Sequence, residues 1–364
     1  MKRILSGITL SLALTFATSN ARAEIFCVGT PSALQNALLA AAGNSETDEI
    51  RLMVGQYLVP TANNGFRYVS SQPGGLTVSG GWGPPDPPDA PVCDSRKDNP
   101  RLTVIDGDFQ IQGLVLQPGP DSGDIAVENL TITRGGANDP VISLNGGGID
   151  ARSFSPDWEG SYRFSTLIFN LNEATEQGAG LYVILDRGSL RLENSVFFRN
   201  AAGGDGGAAE LLLNGAENLI ANVTIAENSA ADDGAGVRIG GNATVRLLNN
   251  VFADNNGDDL LLAGSSVRLN RNFLNSLAGS NPLEETGTLS GNPQLGLGSL
   301  GVSPNIGSPL IDAGLPVPDG LPPRDADGMG RIVGPAVDLG AYEAQIFSDG
   351  LEGDDDWIIP GVIF

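Results

Sequence analysis

The sequence contains no histidine and only two lysines, at positions 2 and 97. Without histidine the chain cannot form a Ser-His-Asp triad, a Cys-His pair or a histidine-ligated zinc site. It also lacks the Gly-x-x-x-x-Gly-Lys phosphate-binding motif, and its glycines belong to internal repeats rather than to a dinucleotide-binding turn. These absences exclude the enzyme classes that depend on such sites.

Positive charge is scarce throughout the chain. There are 20 basic residues against 43 acidic ones, a net charge of −23, so nucleic acid and anionic lipid are not expected partners. Acidic polysaccharide would also be repelled unless a cation intervened. The charge alternatively serves only to keep a β-rich surface soluble. We expect a monomer whose partner is a glycan or another surface protein.

Long apolar runs are missing after the first residues. Residues 1–23 begin with two basic residues after Met, continue with an apolar run to about Ala17 and end on Ala21-Arg-Ala. This pattern predicts a secretory signal peptide cleaved before Glu24, with an uncleaved anchor as the alternative. No later stretch reaches about 18 apolar residues, so no transmembrane span is expected. We expect a protein that is secreted, extracellular or associated with the cell surface, such as the outer membrane.

Cysteine occurs only twice, as Cys27 and Cys93. In an exported chain an even pair predicts a disulfide, and two free thiols are the alternative. Between them, Thr30-Pro31 followed by apolar residues at helical spacing predicts a helix that ends at Gly43. We expect this helix to cover the open end of a solenoid, and the disulfide to join that cap to the first coil.

A seven-residue phrase recurs between residues 129 and 276. Its clearest copies are residues 194–200, 222–228 and 249–255, and weaker copies begin at residues 129, 166 and 270. Successive starts from residue 166 differ by 28, 28 and 27, and a Gly-rich phrase at residues 178, 206 and 234 keeps the same spacing. A fixed period of this length is typical of a repeat architecture.

Each repeat has the pattern of strands and turns. The fourth position of the phrase is always large and apolar, and short runs nearby alternate apolar with polar residues between Gly and Asn. We therefore predict an all-β parallel β-helix in which like residues stack about 4.8 Å apart and buried Asn side chains form a ladder. The predicted internal stack comprises Ile132, Phe169, Phe197, Ile225 and Phe252, and Phe273 has the same position in the last copy.

These patterns divide the chain into four parts. After the signal peptide, residues 24–100 form an N-terminal cap with the first strands. Residues 101–345 form the β-helix with irregular C-terminal coils, and residues 346–364 form a tail.

A loop at residues 153–163 interrupts the repeats and carries Trp158 and Tyr162. Loops that project from a regular scaffold often bind ligands, and padding of the surface is the alternative. Together with Tyr182 on a nearby strand, these two aromatic residues are the candidate ligand-binding residues.

Acidic residues follow the phrase at corresponding positions in several repeats. Stacked in adjacent coils they would lie about 5 Å apart, which raises carboxylate pKa values or recruits a hard cation such as Ca²⁺. A solvated acidic ridge is the alternative. The candidate calcium ligands are Asp205, Asp232, Asp233, Asp258 and Asp259, with Asp139 and Glu176 at corresponding positions in earlier repeats.

One outward column, formed by Asp150, Tyr182, Glu210 and Arg238, has one residue per coil at the same strand position. Paired carboxylates can hydrolyse glycosides, and an arginine can act as a base beside a cation-bound uronate. Asp150, Glu210 and Arg238 are therefore the candidate catalytic residues. A surface ladder of cross-strand pairs has the same pattern, and Glu210 and Arg238 would then be an exposed pair worth less than about 1 kcal/mol.

The C-terminal third contains three motifs in order: Ser308-Pro-Leu-Ile-Asp-Ala-Gly314, Asp325-Ala-Asp-Gly-Met-Gly-Arg331 and Val337-Asp-Leu-Gly-Ala-Tyr-Glu343. With them, the chain resembles secreted bacterial right-handed parallel β-helix proteins of the pectin-lyase-like superfamily, in the group with a choice-of-anchor C-terminal region. Residues 346–352 also resemble a terminal motif of many exported proteins. The resemblance implies export, a right-handed β-helix and a surface or extracellular location, without fixing one reaction.

The sequence thus predicts an exported β-helix with a structural, adhesive or glycan-binding role. The alternative is a cation-assisted polysaccharide lyase or glycoside hydrolase. An enzyme requires a deep groove in which Glu210 and Arg238 converge with further polar groups, whereas a binding rod presents flat ladders.

Overall fold

The computed structural model describes residues 23–83, 92–141, 143–298, 300–317 and 322–344. The predicted signal peptide, apart from Ala23, and the predicted tail lie outside these described residues.

Three sheets, in which almost all the pairing is parallel, contain most of the strands of the described chain. The central path of the first sheet comprises Ile25–Val28, Asp48–Met53, Leu76–Gly83, Ile125–Thr133, Ser161–Asn170, Ser189–Glu193, Asn218–Ala221, Thr244–Leu248, Ser266–Asn270 and Glu284–Thr286. Its other strands are Gly55–Leu58, Ser95–Arg96, Thr103–Asp106, Val196–Phe198, Thr224–Ala226 and Val251–Ala253. Within it, Ser95–Arg96 alone pairs antiparallel, with Leu76–Gly83.

The second sheet comprises Arg67–Ser70, Leu114–Pro118, Ile149–Arg152, Leu181–Leu185, Ala209–Leu213, Val237–Gly241, Leu260–Ala263 and Leu277–Gly279. The third is short: Gly136–Ala137, Glu173–Ala174, Ala201–Ala202 and Ser229–Ala230. A separate antiparallel pair is formed by Leu295–Leu297 and Ser303–Pro304. The helical segments are one α-helix, Pro31–Ala42, and two 3-10 turns, Ala62–Asn64 and Pro100–Leu102.

Each strand pairs with the strand one repeat later in the chain. In the first sheet Arg163 pairs with Arg191, Arg191 with Leu219, and Leu219 with Arg246, so successive partners keep the spacing of the sequence repeat. The next two partners, Arg268 and Glu284, follow after progressively shorter intervals. This pairing is consistent with the predicted β-helix. The first sheet also runs unbroken across the boundary that we placed at residue 100.

The predicted stack of large apolar residues is present. Phe169 pairs with Ile132 on one side and Phe197 on the other, and the stack continues through Ile225 to Phe252. The rings of Phe169 and Phe197 lie parallel with centroids 4.4 Å apart.

In the structure, the last copy of the phrase is shifted by one residue from the position that we assigned to it in the sequence. Phe273 pairs with Val251 rather than with Phe252, and it belongs to a different apolar cluster. The left-handed backbone position, occupied by Asn249 (φ 58°), has moved to Arg271 (φ 53°) in this copy. This copy begins at Arg271, one residue later than we placed it, so Leu274 takes the place that we assigned to Phe273.

The predicted ladder of asparagines forms at the corner that ends each phrase. It comprises Asn172, Asn200, Asn228 and Asn255, whose successive Nδ2–Oδ1 distances are 2.9, 2.9 and 3.1 Å. Each Asn200 polar atom has a partner: Nδ2 also donates to Phe169 O, and Oδ1 also accepts from Asn172 N. The ladder therefore satisfies buried backbone groups where the chain turns from one sheet to the next.

The N-terminal cap has the predicted elements. Thr30 Oγ1 accepts from Ala33 N at the start of the helix, and Gly43 follows its end. The helix buries Leu34, Ala37, Leu38 and Ala41. The predicted disulfide joins Cys27, on the first strand, to Cys93.

Beyond Pro304, in the part where we expected irregular coils up to residue 345, the described chain has no further strand. We call residues 308–317 and 322–344 the clasp. It packs against the outside of the first sheet, with Leu339, Ala341 and Tyr342 in one apolar cluster with Val196 and Phe198.

The corners of the first sheet hold the clasp by hydrogen bonds. Asn194 donates to Arg324 O at 2.9 Å, Asn222 to Asp338 O at 3.0 Å, and Asn249 to Leu315 O at 2.8 Å. The clasp thus spans several repeats along one side of the sheets.

Among the described residues, no helix combines the length and apolar character that crossing a membrane requires.

We expect Asn200→Ala to lower the free energy of unfolding by about 3 kcal/mol or more, because several buried partners lose their hydrogen bonds at about 1–3 kcal/mol each. The matched control is Asn214→Ala. Asn214 is exposed and reaches only Asp186 Oδ1 at 3.4 Å, so its loss should change stability by less than about 0.5 kcal/mol. Urea unfolding followed by circular dichroism measures both, and equal losses would contradict the structural role of the ladder.

Candidate functional site

The predicted outward column exists in the second sheet. Asp150 pairs with Tyr182, Tyr182 with Glu210, and Glu210 with Arg238. The repeat therefore brings the three candidate catalytic residues and one candidate ligand-binding residue into a single row across neighbouring strands.

A glycine turn covers this row. Four residues before each member of the column stands a glycine with φ between 61° and 67°: Gly146, Gly178, Gly206 and Gly234. A Cβ added at Gly206 would lie 2.6 Å from Ala209 O and 2.9 Å from Glu210 N. Only glycine combines this left-handed conformation with such a close approach.

The column is consequently buried, which corrects our expectation of an exposed ladder. Asp150, Tyr182 and Glu210 are 1%, 5% and 0% exposed, and only the side chain of Arg238 reaches solvent. Our estimate for an exposed Glu210–Arg238 pair does not apply, because the side chain of Glu210 is 0% exposed.

Asp150 is committed to neighbouring side chains. Its Oδ1 accepts from Arg152 Nε and its Oδ2 from Arg152 Nη2, both at 2.6 Å. Gln112 Nε2 also donates to Oδ2, at 3.2 Å. Both oxygens of this carboxylate are occupied by fixed donors, so Asp150 is poorly placed to exchange a proton with a substrate.

Glu210 is only half satisfied. Arg238 Nη1 donates to its Oε1, and Arg238 Nε lies 3.5 Å from Asp205 Oδ2. Within the described chain, Oε2 is buried without a hydrogen-bond partner. Burial raises the pKa of Glu210 to about 7, although Arg238 opposes the rise. A near-neutral carboxyl is suited to proton transfer, but this one is 0% exposed.

Trp158 and Tyr162 lie in the core and not on the surface where we expected them. They are 1% and 0% exposed, with ring centroids 4.7 Å apart. Trp158 Nε1 donates to Ser122 O and Tyr162 Oη to Leu116 O. Residues 153–160 therefore fold back and insert Trp158 between strands, and the rings are not available to a glycan in this arrangement.

The five candidate calcium ligands do not converge. Asp259 is buried and accepts from Asn255 Nδ2 and from the backbone of Asn275 and Ser276. Asp232 and Asp233 are exposed, Asp258 is partly exposed, and Asp205 faces Arg238. In the described ranges no three His, Cys, Asp or Glu side chains are arranged to hold a metal ion. Asp205 and Asp233 are neighbours in adjacent repeats, since Asp233 N donates to Asp205 Oδ1 at 3.0 Å, but the other oxygen of Asp205 faces Arg238.

The three C-terminal motifs meet in a buried polar cluster, which our sequence reasoning on site residues missed. Asp325 Oδ2 accepts from Glu343 N, Asp338 Oδ2 from Ala344 N, and Glu343 Oε1 from Asp338 N. Arg331 Nη2 donates to Gly340 O, and its Nη1 lies 3.5 Å from Glu343 Oε1. The three motifs were the only sequence signal for this cluster. Their spacing does not show that the charged side chains of different motifs contact one another.

One arginine does not neutralise the three carboxyls of this cluster. Burial raises the pKa of Glu343 to about 8 and also raises the pKa of Asp338, while it lowers the pKa of Arg331. The cluster is therefore most stable when Glu343 carries a proton.

The chain matches no protein family model, and comparisons with curated proteins and with solved structures also return no match. The resemblance to pectin-lyase-like proteins therefore remains a prediction from the motifs quoted above.

We expect the free energy of unfolding to fall as the pH rises from about 4.5, the ordinary pKa of a Glu, to about 8. The folded state binds the Glu210 and Glu343 protons more tightly than the unfolded chain, so stability is highest below the unfolded pKa and is lost as each folded pKa is passed. The contribution of Glu210 to this loss of unfolding free energy is about 3 kcal/mol, and it is complete near pH 7.

Chemical unfolding at several pH values measures this slope in the parent chain and in two isosteric variants. Glu210→Gln should reduce the dependence of the unfolding free energy on pH up to about pH 7. Glu343→Gln should reduce it up to about pH 8. A slope that neither variant alters would show that other groups cause it.

Proposed function

We propose that this chain is an exported, right-handed parallel β-helix that acts as a structural or binding rod at the cell surface or outside the cell. The repeat-by-repeat pairing supports the architecture, and the motifs support membership of the pectin-lyase-like group. A disulfide between Cys27 and Cys93 is compatible with an oxidising location.

The main observation in support of a non-catalytic role is that the carboxylates of the outward column are buried. Asp150 is held by Arg152, and Glu210 is 0% exposed and contacts Arg238. A hydrolase needs two carboxyls on either side of a scissile bond. Here Tyr182 occupies the strand between Asp150 and Glu210, and its ring is buried as well.

A polysaccharide lyase or glycoside hydrolase is the second candidate. The unpartnered Oε2 of Glu210 and its pKa of about 7 favour it, because a general acid or base works best with a pKa near the operating pH. For this function the glycine turn would have to open and admit substrate.

We expect the purified chain to release neither reducing ends nor unsaturated uronates from neutral and acidic polysaccharides. If the chain is an enzyme, Glu210→Gln should lower the rate of cleavage about 10²–10⁴-fold. Asp150→Asn tests the second carboxyl in the same way. Asp186→Asn is the matched control, since Asp186 is exposed in the same part of the repeat. Turnover that Glu210→Gln abolishes and Asp186→Asn preserves would establish the enzyme and contradict our proposal.

Export has a separate test. In a bacterial host the full chain should appear at the cell surface or in the medium with residues 1–23 removed and Cys27 bonded to Cys93. A variant that lacks residues 2–23 should stay in the cytoplasm with both thiols reactive to an alkylating reagent. Cell fractionation and mass spectrometry give the answer, and retention of the full chain in the cytoplasm would refute export.

A further inference from the structure

The two ends of the repeats are covered differently. At the N-terminal end the helix Pro31–Ala42 packs against the first strands, and the inward-facing Ile50 beside it is 0% exposed. At the other end the last strands of the two large sheets are Leu277–Gly279 and Glu284–Thr286. In the described part of the chain, no strand pairs with the free edge of either one. We call residues 277–286 the open end.

Apolar side chains are exposed at the open end although they continue inward-facing columns. Leu277 pairs with Leu260, and the exposed fraction rises from 0% for Leu260 to 37% for Leu277. Leu283 precedes Glu284, which pairs with Arg268, so Leu283 falls beside Val267. Val267 is 0% exposed, whereas Leu283 is 62% exposed. Repeat proteins cover such terminal side chains with a cap, because the last repeat has no neighbour to bury them.

The segment that follows the open end packs elsewhere. Leu289 forms a bridge with Phe273, and Leu300 and Val302 lie in the apolar cluster that the clasp shares with the outside of the first sheet. The described residues after 286 therefore leave Leu277 and Leu283 uncovered.

The predicted tail, residues 346–364, lies outside the described ranges, and its composition matches what the open end needs. Residues 357–364 read Trp-Ile-Ile-Pro-Gly-Val-Ile-Phe and contain no charged residue. The acidic residues of the tail all precede this apolar run: Asp349, Glu352, Asp354, Asp355 and Asp356. The tail thus consists of an acidic part followed by an apolar part.

Arginines lie on the strands that lead to the open end. Arg246 alternates with buried neighbours in the strand Thr244–Leu248 and faces outward, and Arg271 is exposed with its side chain against Gly287. Within the described chain neither of these two arginines forms an ion pair. Arg268 Nε lies 3.8 Å from Glu284 Oε2, which is too long for a hydrogen bond. These cations complement the acidic part of the tail.

The clasp ends close enough for the tail to reach this position. Ala344 N donates to Asp338 Oδ2, and Asp338 O accepts from Asn222 Nδ2. The strand before Asn222 is three strands from Glu284–Thr286 in the first sheet, a distance of about 14 Å. Residues 345–356 span up to about 40 Å when extended. The apolar part that follows them is therefore within reach of the open end.

A second copy of the chain fits the open end less well. Glu284 and Glu285 are both exposed there. Contact between the open ends of two copies would bring both pairs of carboxylates into one interface, and like charges disfavour such a contact. Residues 357–364 add no charge to the open end.

We propose that residues 357–364 cover the open end of the same chain, while the acidic residues 349–356 lie beside Arg246, Arg268 and Arg271. The tail then does for the last repeat what the helix Pro31–Ala42 does for the first. The inference depends on the open end and on the sequence of the tail, and it holds whether or not the chain is exported or cleaves a glycan.

The experiment is cross-linking of the full mature chain with Leu283→Cys and Ile359→Cys, using a bis-maleimide with a flexible spacer. Mass spectrometry of the digested monomer should find residues 283 and 359 linked within one chain. The matched control combines Asn36→Cys with Ile359→Cys, since Asn36 is exposed on the helix at the other end of the repeats. Its yield should be about tenfold lower or less. Equal yields from the two pairs, or no link in either, would overturn the proposal. A link found only in dimers would assign the open end to a second copy and would also overturn it.

The contribution of charge is tested in the same 283–359 pair. Arg246→Gln together with Arg271→Gln should lower the cross-linking yield about twofold or more at low ionic strength, because exposed ion pairs are weak and are screened by salt. Arg187→Gln together with Arg199→Gln is the matched control, since both side chains are 56% exposed and their loss changes the net charge equally. Circular dichroism melting tests whether all variants fold. Equal yields from the two double variants would contradict the position of the acidic residues.

Discussion

The structure depends on one constraint, the register that pairs each strand with the strand one repeat later. Once Phe169 pairs with Phe197, the alternation of side chains assigns every residue of those strands to the inside or the outside. The corners preserve this register because asparagines such as Asn200 satisfy the backbone at each bend. Apolar stack, asparagine ladder and polar column are therefore three results of the same periodicity.

The clasp covers the outer face of the first sheet. That face presents apolar residues such as Val196 and Phe198, together with the corner amides of Asn194, Asn222 and Asn249. The clasp packs over the apolar residues, and its backbone carbonyls accept hydrogen bonds from the corner amides. It does so with a buried polar group around Arg331 and Glu343, whose desolvation is only partly offset by hydrogen bonds from backbone amides.

The repeated part of the fold could be predicted because its period is visible in the sequence. The stack from Ile132 to Phe252, the asparagine ladder, the capping helix and the disulfide follow from spacing and residue type. The position of Phe273 could not, because Asn270 and Asn272 both fit the phrase and only the strand register shows that this copy begins at Arg271.

The surroundings of the candidate site were not predictable in the same way. Periodicity places Glu210 on the outside of a strand, but it does not show that the turn at Gly206 folds over it. Likewise Trp158 occurs in what the sequence presents as a loop, and only the fold shows that the loop returns to the core. Contacts between residues far apart in sequence, such as Asn194 with Arg324, have no periodic signal at all.

The clasp also has a consequence for the order in which the chain becomes complete. The clasp is made after all the repeats, yet it shares an apolar cluster with residues as early as Ile168, and its Asp327 pairs with Arg101. A ribosome or an export channel that delivers the chain from its N-terminus releases finished repeats whose outer apolar strip is still uncovered. During that interval the growing chain needs protection from aggregation and proteases, and a product truncated before the clasp would need it permanently.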